Sequence, residues 1–424
     1  MEKRNVPKLR FKEFSDEWEE YTLGSFLSFY TTNSFSRDCL NMEFGEVMNI
    51  HYGDIHMKFP TILNVKNNRI PFINNDVDIS KINDECYCRN GDLIVADASE
   101  DYDDIGKSIE LQNIEDKKIV SGLHTILARD TKGVTASKFK GYMMLNSAVR
   151  KQIKILAAGA KVLGISKSNL EKVSVKLPSL EEQTKIANFL SNVDKIIEEQ
   201  EGKVKDLELY KKGMMQKIFK QEIRFKDDNG ENYPEWSICK INNIGKLISG
   251  IGFSEKYQGY SNFKYKFFKV SDMNLANNKK VMNISNNTVS DEMLKEMKAK
   301  PIREQSIIFA KVGAAIFLER KKIVNEKFLI DNNMMALEVS KNNNIEFIYY
   351  LLEKIKLSKY AQVGALPSYN VSDIGNIKIK LPFLAEQTKI ANFLSNIDNV
   401  IEEENKKLED LRQWKKGLLQ QMFV

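Results

Sequence analysis

Leu177–Phe219 reads LPSLEEQTKIANFLSNVDKIIEEQEGKVKDLELYKKGMMQKIF, and Leu381–Phe423 reads LPFLAEQTKIANFLSNIDNVIEEENKKLEDLRQWKKGLLQQMF. The two align without a gap at a constant offset of 204, with 26 of 43 positions identical. A repeat at half the length of a 424-residue chain makes duplication the first fact of the architecture. Pro178 marks the boundary of a helix, and Ser179 with Glu182 fits a capping box, although Phe383 stands at the Ser position of the second copy. Apolar residues then recur at alternating steps of four and three. They are Ile186, Leu190, Val193, Ile197, Val204 and Leu207, then Met214 and Ile218. The second copy gives Ile390, Leu394, Ile397, Ile401, Leu408 and Leu411, then Leu418 and Met422. Such a heptad seam predicts a coiled coil. Gln200/Glu404 and Lys211/Lys415 interrupt the seam at matching places, where polar residues fix register at some cost in stability.

As one helix, Thr184–Phe219 spans about 54 Å at ~1.5 Å per residue. A seam of that length needs a partner. The simplest is the other copy in the same chain, lying antiparallel, which puts a globular domain at either end of a rod; pairing with another subunit is the alternative. A second stripe, Phe189, Ile196 and Tyr210 with Phe393, Val400 and Trp414, exceeds what one helical pair needs and predicts a docked partner protein.

Outward from the helices the duplication continues. PKLRFKEFSDEWEEYTLGSF near the start is echoed by QEIRFKDDNGENYPEWSICKINNIGKL after the first repeat: Arg10-Phe11-Lys12 matches Arg224-Phe225-Lys226, and Glu17-Trp18 matches Glu235-Trp236. The regions between, about 27–176 and 246–380, share little sequence but a similar order of signals. Gly91–Ala96 (GDLIVA) and Gln305–Ala310 (QSIIFA) are short apolar strands. Val120–Leu127 parallels Leu329–Leu337. A helical stretch follows in each, Ser137–Leu156 and Ile345–Ser358, and each region closes on an alternating strand, Val173–Leu177 and Ile377–Leu381. Asn64–Asn75 and Asn274–Asn287 read as loops. The expected fold class is therefore α+β. Two globular domains (1–176 and 221–380) are separated by two long helices (177–220 and 381–424) in an antiparallel coiled coil with an internal pseudo-two-fold repeat.

Composition sets the outer bounds. Four cysteines (Cys39, Cys86, Cys88, Cys239) give no disulfide framework, and Cys86-Tyr-Cys88, which His51, His56 and His124 could in principle join, lacks the two-residue gap of a structural zinc site. No metal site is expected. Nothing approaches the roughly 18 consecutive apolar residues of a membrane span, and the basic N-terminal stretch has no apolar core behind it, so the expected compartment is the cytoplasm, without membrane association. Catalytic motifs are missing. There is no Asn/Asp-Pro-Pro-aromatic motif for base methylation. Gly106-Lys107-Ser108 lacks the first glycine of a phosphate loop, and the acidic run Asp97, Glu100, Asp101, Asp103, Asp104 reads as a solvated loop.

Charge is more informative. The chain is net +6, yet each repeat is net −1, leaving +8 elsewhere. Thr131–Leu170 holds eight basic residues and no acid: Lys132, Lys138, Lys140, Arg150, Lys151, Lys154, Lys161 and Lys167. Such a window can grip phosphates. In the second domain Lys256–Lys269 interleaves Lys256, Lys264, Lys266 and Lys269 with aromatics that include Tyr257 and Tyr260. The competing reading of that stretch is a strand with an aromatic inner face and a lysine outer face.

The LPxLxEQTKIANFLSxxD opening, the KKGxxQxxF ending, their duplication and the RFK…EW lead-in resemble the specificity subunit of type I restriction–modification systems, over nearly the whole chain. The resemblance implies two target recognition domains, each reading half of an asymmetric bipartite site on double-stranded DNA. It implies helices that set the spacing of the half-sites and dock two modification (methyltransferase) subunits, with ATP-dependent restriction subunits joining that core. The chain itself would be non-catalytic and hold no cofactor; S-adenosylmethionine, ATP and Mg would sit on its partners. In the family the loop before the closing strand lies close to DNA. Here that loop is Gly159–Lys167, pointing to Lys161, Ser166 and Lys167; in the second domain it departs to Gly364–Asn370, with Ser368, Tyr369 and Asn370. A coiled-coil adaptor that joins protein partners without reading DNA is the alternative function.

Overall fold

Each half of the chain opens with a strand that closes on the strand just before its long helix. Glu19–Thr22 pairs antiparallel with Ser174–Leu177, and Ser237–Lys240 pairs antiparallel with Lys378–Leu381. These pairings bring the EW lead-in beside the start of the repeat. The structure is a computed structural model that describes residues 5–30, 32–362, 364 and 366–424. Residues 1–4 of the basic N-terminal stretch and Ala365 of the second loop lie outside the described residues.

The chain forms two units. One comprises Met1–Lys203 with Asn405–Val424, the other Val204–Glu404. The long helices, Leu180–Phe219 and Leu384–Gln421, therefore each begin in one unit and end in the other.

In the first unit a five-stranded sheet runs Leu27–Tyr30, Thr125–Asp130, Leu93–Ala96, Ser108–Gln112, Ile62–Asn64. A four-stranded sheet runs Lys118–Ser121, Val47–Ile50, Phe72–Ile73, Leu40–Asn41. The second unit has a four-stranded sheet in the order Gly245–Ser249, Met334–Val339, Ser306–Ala310, Lys321–Val324. Its three-stranded sheet runs Thr288–Val289, Tyr265–Phe268, Phe328–Ile330. The GDLIVA and QSIIFA stretches supply equivalent inner strands, buried along their whole length, which is why they read as continuous apolar runs.

Two readings are refined. Val120–Leu127 and Leu329–Leu337 are each strand, corner and strand, and their two arms enter different sheets. At the first corner a side chain on Gly122 would meet Asn49 Oδ1 at 2.0 Å, so only glycine lets the chain turn there. Ser137–Leu156 is two helices, Phe139–Met143 and Ser147–Leu156, because Asn146 accepts from Ala148 N and starts the second.

The cores explain the KKGxxQxxF ending. Phe423 packs edge-on against Trp18, with centroids 6.1 Å apart, and against Phe139 at 5.6 Å. Phe219 does the same with Trp236 at 6.2 Å and Phe347 at 5.7 Å. Each globular domain is completed by the phenylalanine that ends a repeat: the first domain by Phe423, just past its helix, the second by Phe219.

Candidate nucleic-acid interface and helical surfaces

The residues repeated between the two copies hold the globular domains. Glu182, 1% exposed, accepts from Arg10 at 2.8 Å through both oxygens. Glu386, fully buried, accepts from Arg224 and from the Trp236 indole at 3.2 Å. Ser179 Oγ still accepts from Glu182 N at 3.3 Å, but the Glu182 side chain is committed to Arg10, so the capping box is half formed. Gln183 accepts from Ala136 N and donates to Pro178 O; Gln387 accepts from Asn344 N and donates to Pro382 O. The RFK arginine and the EQ pair are thus one joint, made twice.

A second joint uses the LSxxD residues. Tyr142 donates to Asp194 Oδ2 at 2.7 Å and to Ser191 Oγ at 3.3 Å. Tyr350 donates to Asp398 beside Ser395, with Lys280 Nζ 2.7 Å from its hydroxyl. Burial, with the neighbouring carboxylates, pushes both tyrosine hydroxyls well above their usual range. The lysines that interrupt the seam close the joint: Lys415 pairs with Asp194, and Lys211 with Asp398 at 2.5 Å. Burial raises Asp398, but hydrogen bonds from Lys211 and Tyr350 outweigh it and hold the carboxyl below the ordinary range.

These contacts identify the seam's partner within each unit. In the first, Asp194–Lys415 and Glu201–Arg412 run in reverse order along the two helices, so the start of one copy lies antiparallel to the end of the other. Ile186, Leu190, Val193 and Ile197 share a core with Leu418, Met422 and Phe423, and also with Trp18, Phe139 and Tyr142. Ile390, Leu394, Ile397 and Ile401 share one with Ile218, Phe219, Trp236 and Phe347. The seam is more than a helix–helix stripe, since its opening positions sit in the globular cores. Val204 and Leu408 are buried; Leu207 and Leu411 are half-buried.

The second stripe is divided. Phe189 lies 6.0 Å from Phe11 and 6.3 Å from Trp414, and Phe393 lies 5.5 Å from Phe225. The RFK phenylalanine covers the first position of each stripe. Ile196, Tyr210, Val400 and Trp414 remain 42–52% exposed.

The basic window is only partly available to a polyanion. Lys140 is buried with Nζ 3.7 Å from Glu110, whose pKa burial raises while Lys140 pulls it back. That cation is committed inside the domain, a correction to its reading as a DNA contact. Lys138 is half-buried and starts a helix in the left-handed region at φ 68°, its N–H on Glu110. Arg150 donates to the carbonyls of Asp103 and Ile105; burial lowers its pKa, opposed by Asp104 and Asp103. Lys154 pairs with Asp103. Lys151 and Lys161 are exposed and Lys167 half-exposed, without an ion pair among the described residues. Ser166 caps the helix Lys167–Leu170.

In Lys256–Lys269 the lysines face carboxylates. Lys256 pairs with Glu296 at 3.4 Å, Lys264 with Asp291 at 2.9 Å and Lys266 with Glu326 at 2.5 Å, while Lys269 donates to Gln258 at 3.2 Å. Tyr257 is buried on Glu296, Phe267 and Phe268 are buried, and Tyr260 is exposed beside Phe263 at 5.5 Å. Only Tyr265–Phe268 is strand, with Phe267 and Phe268 buried and the Lys266 ammonium on Glu326, while Tyr260 and Phe263 lie outside it and are exposed. Ser368 bridges Gln362 and Val312, Tyr369 is buried with its hydroxyl on Ala310 O, and Asn370 caps Val371–Gly375. Of these three, only Asn370 is exposed. Among the described residues no three His, Cys, Asp or Glu side chains are placed to hold a metal ion, and no helix is long and apolar enough to cross a membrane.

The family model described as type I restriction modification DNA specificity domain matches residues 15–209 and again 233–413. Two curated relatives come from Methanocaldococcus jannaschii. The type I restriction enzyme MjaIX specificity subunit is 29% identical over 62% of this chain and 61% of its own length. The MjaVIII specificity subunit is 27% identical over 63% and 65%. The chain thus spans under two thirds of the length of these relatives. Among solved structures, the type I restriction–modification S subunit from M. genitalium has a TM-score of 0.54 at 16% identity, covering 99% of both chains. A structure reported for the assembly and conformational transition of the type I R-M system gives 0.58 at 15%, over 95% of this chain and 96% of that one. At those identities the likeness is one of fold. With the family model covering both halves, and the duplicated joints explaining why both halves match, the chain belongs to the type I restriction modification DNA specificity family.

Proposed function

We propose that this chain is the DNA-reading specificity subunit of a type I restriction–modification complex. Its two unlike globular domains, 27–176 and 246–380, each read one half of an asymmetric bipartite duplex site. The paired helices set the spacing between the halves. Two modification subunits, carrying S-adenosylmethionine and methylating adenine, dock on the helical framework, and ATP-dependent restriction subunits join them. The chain performs no chemistry itself.

The observation that supports this reading is one framework made twice around unlike domains. The Arg–Glu joint, the Tyr–Asp–Lys joint and the terminal phenylalanine recur, while the domain sequences differ. Two equivalent seats suit two identical partners, and two different domains suit two different half-sites. Lys151, Lys161 and Lys167 are the side chains of the basic window best placed for phosphates. Ile196, Tyr210, Val400 and Trp414 are the remaining candidates for subunit docking. Expression with the modification subunit, followed by genome-wide mapping of methylated adenine, tests it. A bipartite motif is expected, and replacing 27–176 or 246–380 should change one half each. A swap that alters both halves, or no binding to duplex DNA with the modification subunit present, refutes it.

A further inference from the structure

Main-chain hydrogen bonds join three segments in the same way in both globular domains, although the domains share little sequence. In the first unit Asp97 N donates to His124 O at 3.0 Å, and Asp97 O accepts from Ile165 N at 2.8 Å. In the second, Lys311 N donates to Asn333 O at 2.8 Å, and Lys311 O accepts from Tyr369 N at 3.3 Å. Beside each junction a loop is closed by an antiparallel bridge, Ala158 with Gly164 and Gln362 with Ser368, at the same offset of 204 as the long repeats. The backbone frame is therefore one frame used twice.

The side chains on it differ in sign. The first unit carries Asp97 and His124, with Nδ1 3.3 Å from the carboxylate and side chains 31% and 52% exposed. The Tyr52 ring sits edge-on 5.3 Å from the imidazole. His124 is held at φ 54°, in the left-handed region that a non-glycine residue keeps only where its surroundings fix it. The second unit carries Lys311, half-buried and without a side-chain hydrogen bond or ion pair among the described residues, and Asn333, exposed, with its carboxamide beside the Asp331 carboxylate. The acidic run read from the sequence as a solvated loop thus begins at a fixed, paired carboxylate.

We propose that Asp97 with His124, and Lys311 with Asn333, are base-reading pairs, one for each half-site; this rests on the DNA-reading function proposed above. In the major groove a carboxylate accepts from the amino group of cytosine or adenine, and a ring N–H donates to purine N7 or guanine O6. An ammonium donates to guanine O6 and N7, and a carboxamide meets adenine N6 and N7 through both its atoms. One frame carrying different donor and acceptor patterns is what distinguishes two half-sites. The lysine-rich window cannot do so alone, since phosphate contacts carry no sequence information. Backbone bonds at both residues of each pair fix their positions before DNA arrives, which lowers the ordering cost of binding.

The test uses the full chain assembled with its modification subunits, in competition binding against duplexes with each base pair of the wild-type site replaced in turn. Asp97→Asn and His124→Ala should reduce discrimination at one or two positions of one half-site by about 10- to 100-fold. Lys311→Gln and Asn333→Ala should do so in the other half only. The untouched half-site reports that each variant is folded and assembled. Discrimination unchanged in both halves, or reduced equally in both, overturns the assignment. A wild-type complex without preference among duplexes overturns the DNA-reading function itself, and this inference with it.

Discussion

Asp398→Asn removes a charge from the second unit without changing the size of the side chain, and its cost follows from three contacts. Asp398 accepts from Tyr350, from Lys211 at 2.5 Å and from Lys280 at 3.3 Å. Lys280 keeps Glu346 at 2.5 Å, so the cation left without a carboxylate is Lys211, one quarter exposed. One charge-assisted hydrogen bond, discounted for that exposure, is worth about 2 kcal/mol. In a unit of this size that lowers the melting midpoint by about 4–8 °C. The sign of the pH dependence is fixed as well. A carboxylate held below its ordinary pKa stabilises the fold above the unfolded-state pKa, and that stability is lost as pH falls through the folded-state value. The variant lacks it at every pH, so the deficit seen near pH 7 should begin to close only once the pH falls below the ordinary carboxylate range, about 4. Thermal unfolding followed by calorimetry at several pH values measures it. A midpoint unchanged at neutral pH, or a deficit that persists undiminished in acid, would show that Asp398 is not a charged joint.

The paired arginines offer a comparison. Arg10→Ala leaves a buried Glu182 carboxylate unpaired and should cost about 3–5 kcal/mol in urea unfolding. Arg224→Ala should cost about 1 kcal/mol less, because Glu386 keeps the Trp236 indole. Lys161→Ala should weaken duplex binding and reduce the salt slope by about one. Lys140→Ala should instead destabilise the first unit and leave that slope alone, since its partner is Glu110. Inserting one heptad into both long helices should change the spacer in the methylated motif and leave each half-site intact; an unchanged spacer refutes the ruler role.

Local pattern was legible in the sequence, and so was the antiparallel pairing of the two repeats; the contacts that tie the helices to the globular domains were not. The period of Ile186, Leu190, Val193 and Ile197 located the helix, because a buried face repeats with the helical turn. The same period hid that these residues also line a globular core beside Trp18 and Tyr142, since any apolar neighbour satisfies an apolar face. Arg10 and Glu182 are 172 residues apart and Arg224 and Glu386 are 162 apart, so no window of sequence pairs them. The duplication held the clue: RFK and EQ recur together, as two halves of one contact must. Charge misled for a related reason. Thr131–Leu170 has no acid of its own, yet Glu110, Asp103 and the Asp103 and Ile105 carbonyls reach in from elsewhere to take Lys140, Lys154 and Arg150. Lys161 escapes because its tight loop stands clear of such neighbours.

The placement of Phe423 sets an order of events during synthesis. The second unit is one unbroken stretch, Val204–Glu404, and every contact in its core is available once that stretch has left the ribosome. The first unit is begun earlier and finished later: Trp18 and Phe139 wait for a phenylalanine made about 400 and 280 residues after them. In the interval Leu418, Met422 and Phe423 are missing from a core whose other walls already exist, which leaves an apolar vacancy open to the wrong partner. The domain translated first is thus the last to close, and a nascent chain halted near residue 404 holds one finished domain and one unfinished one.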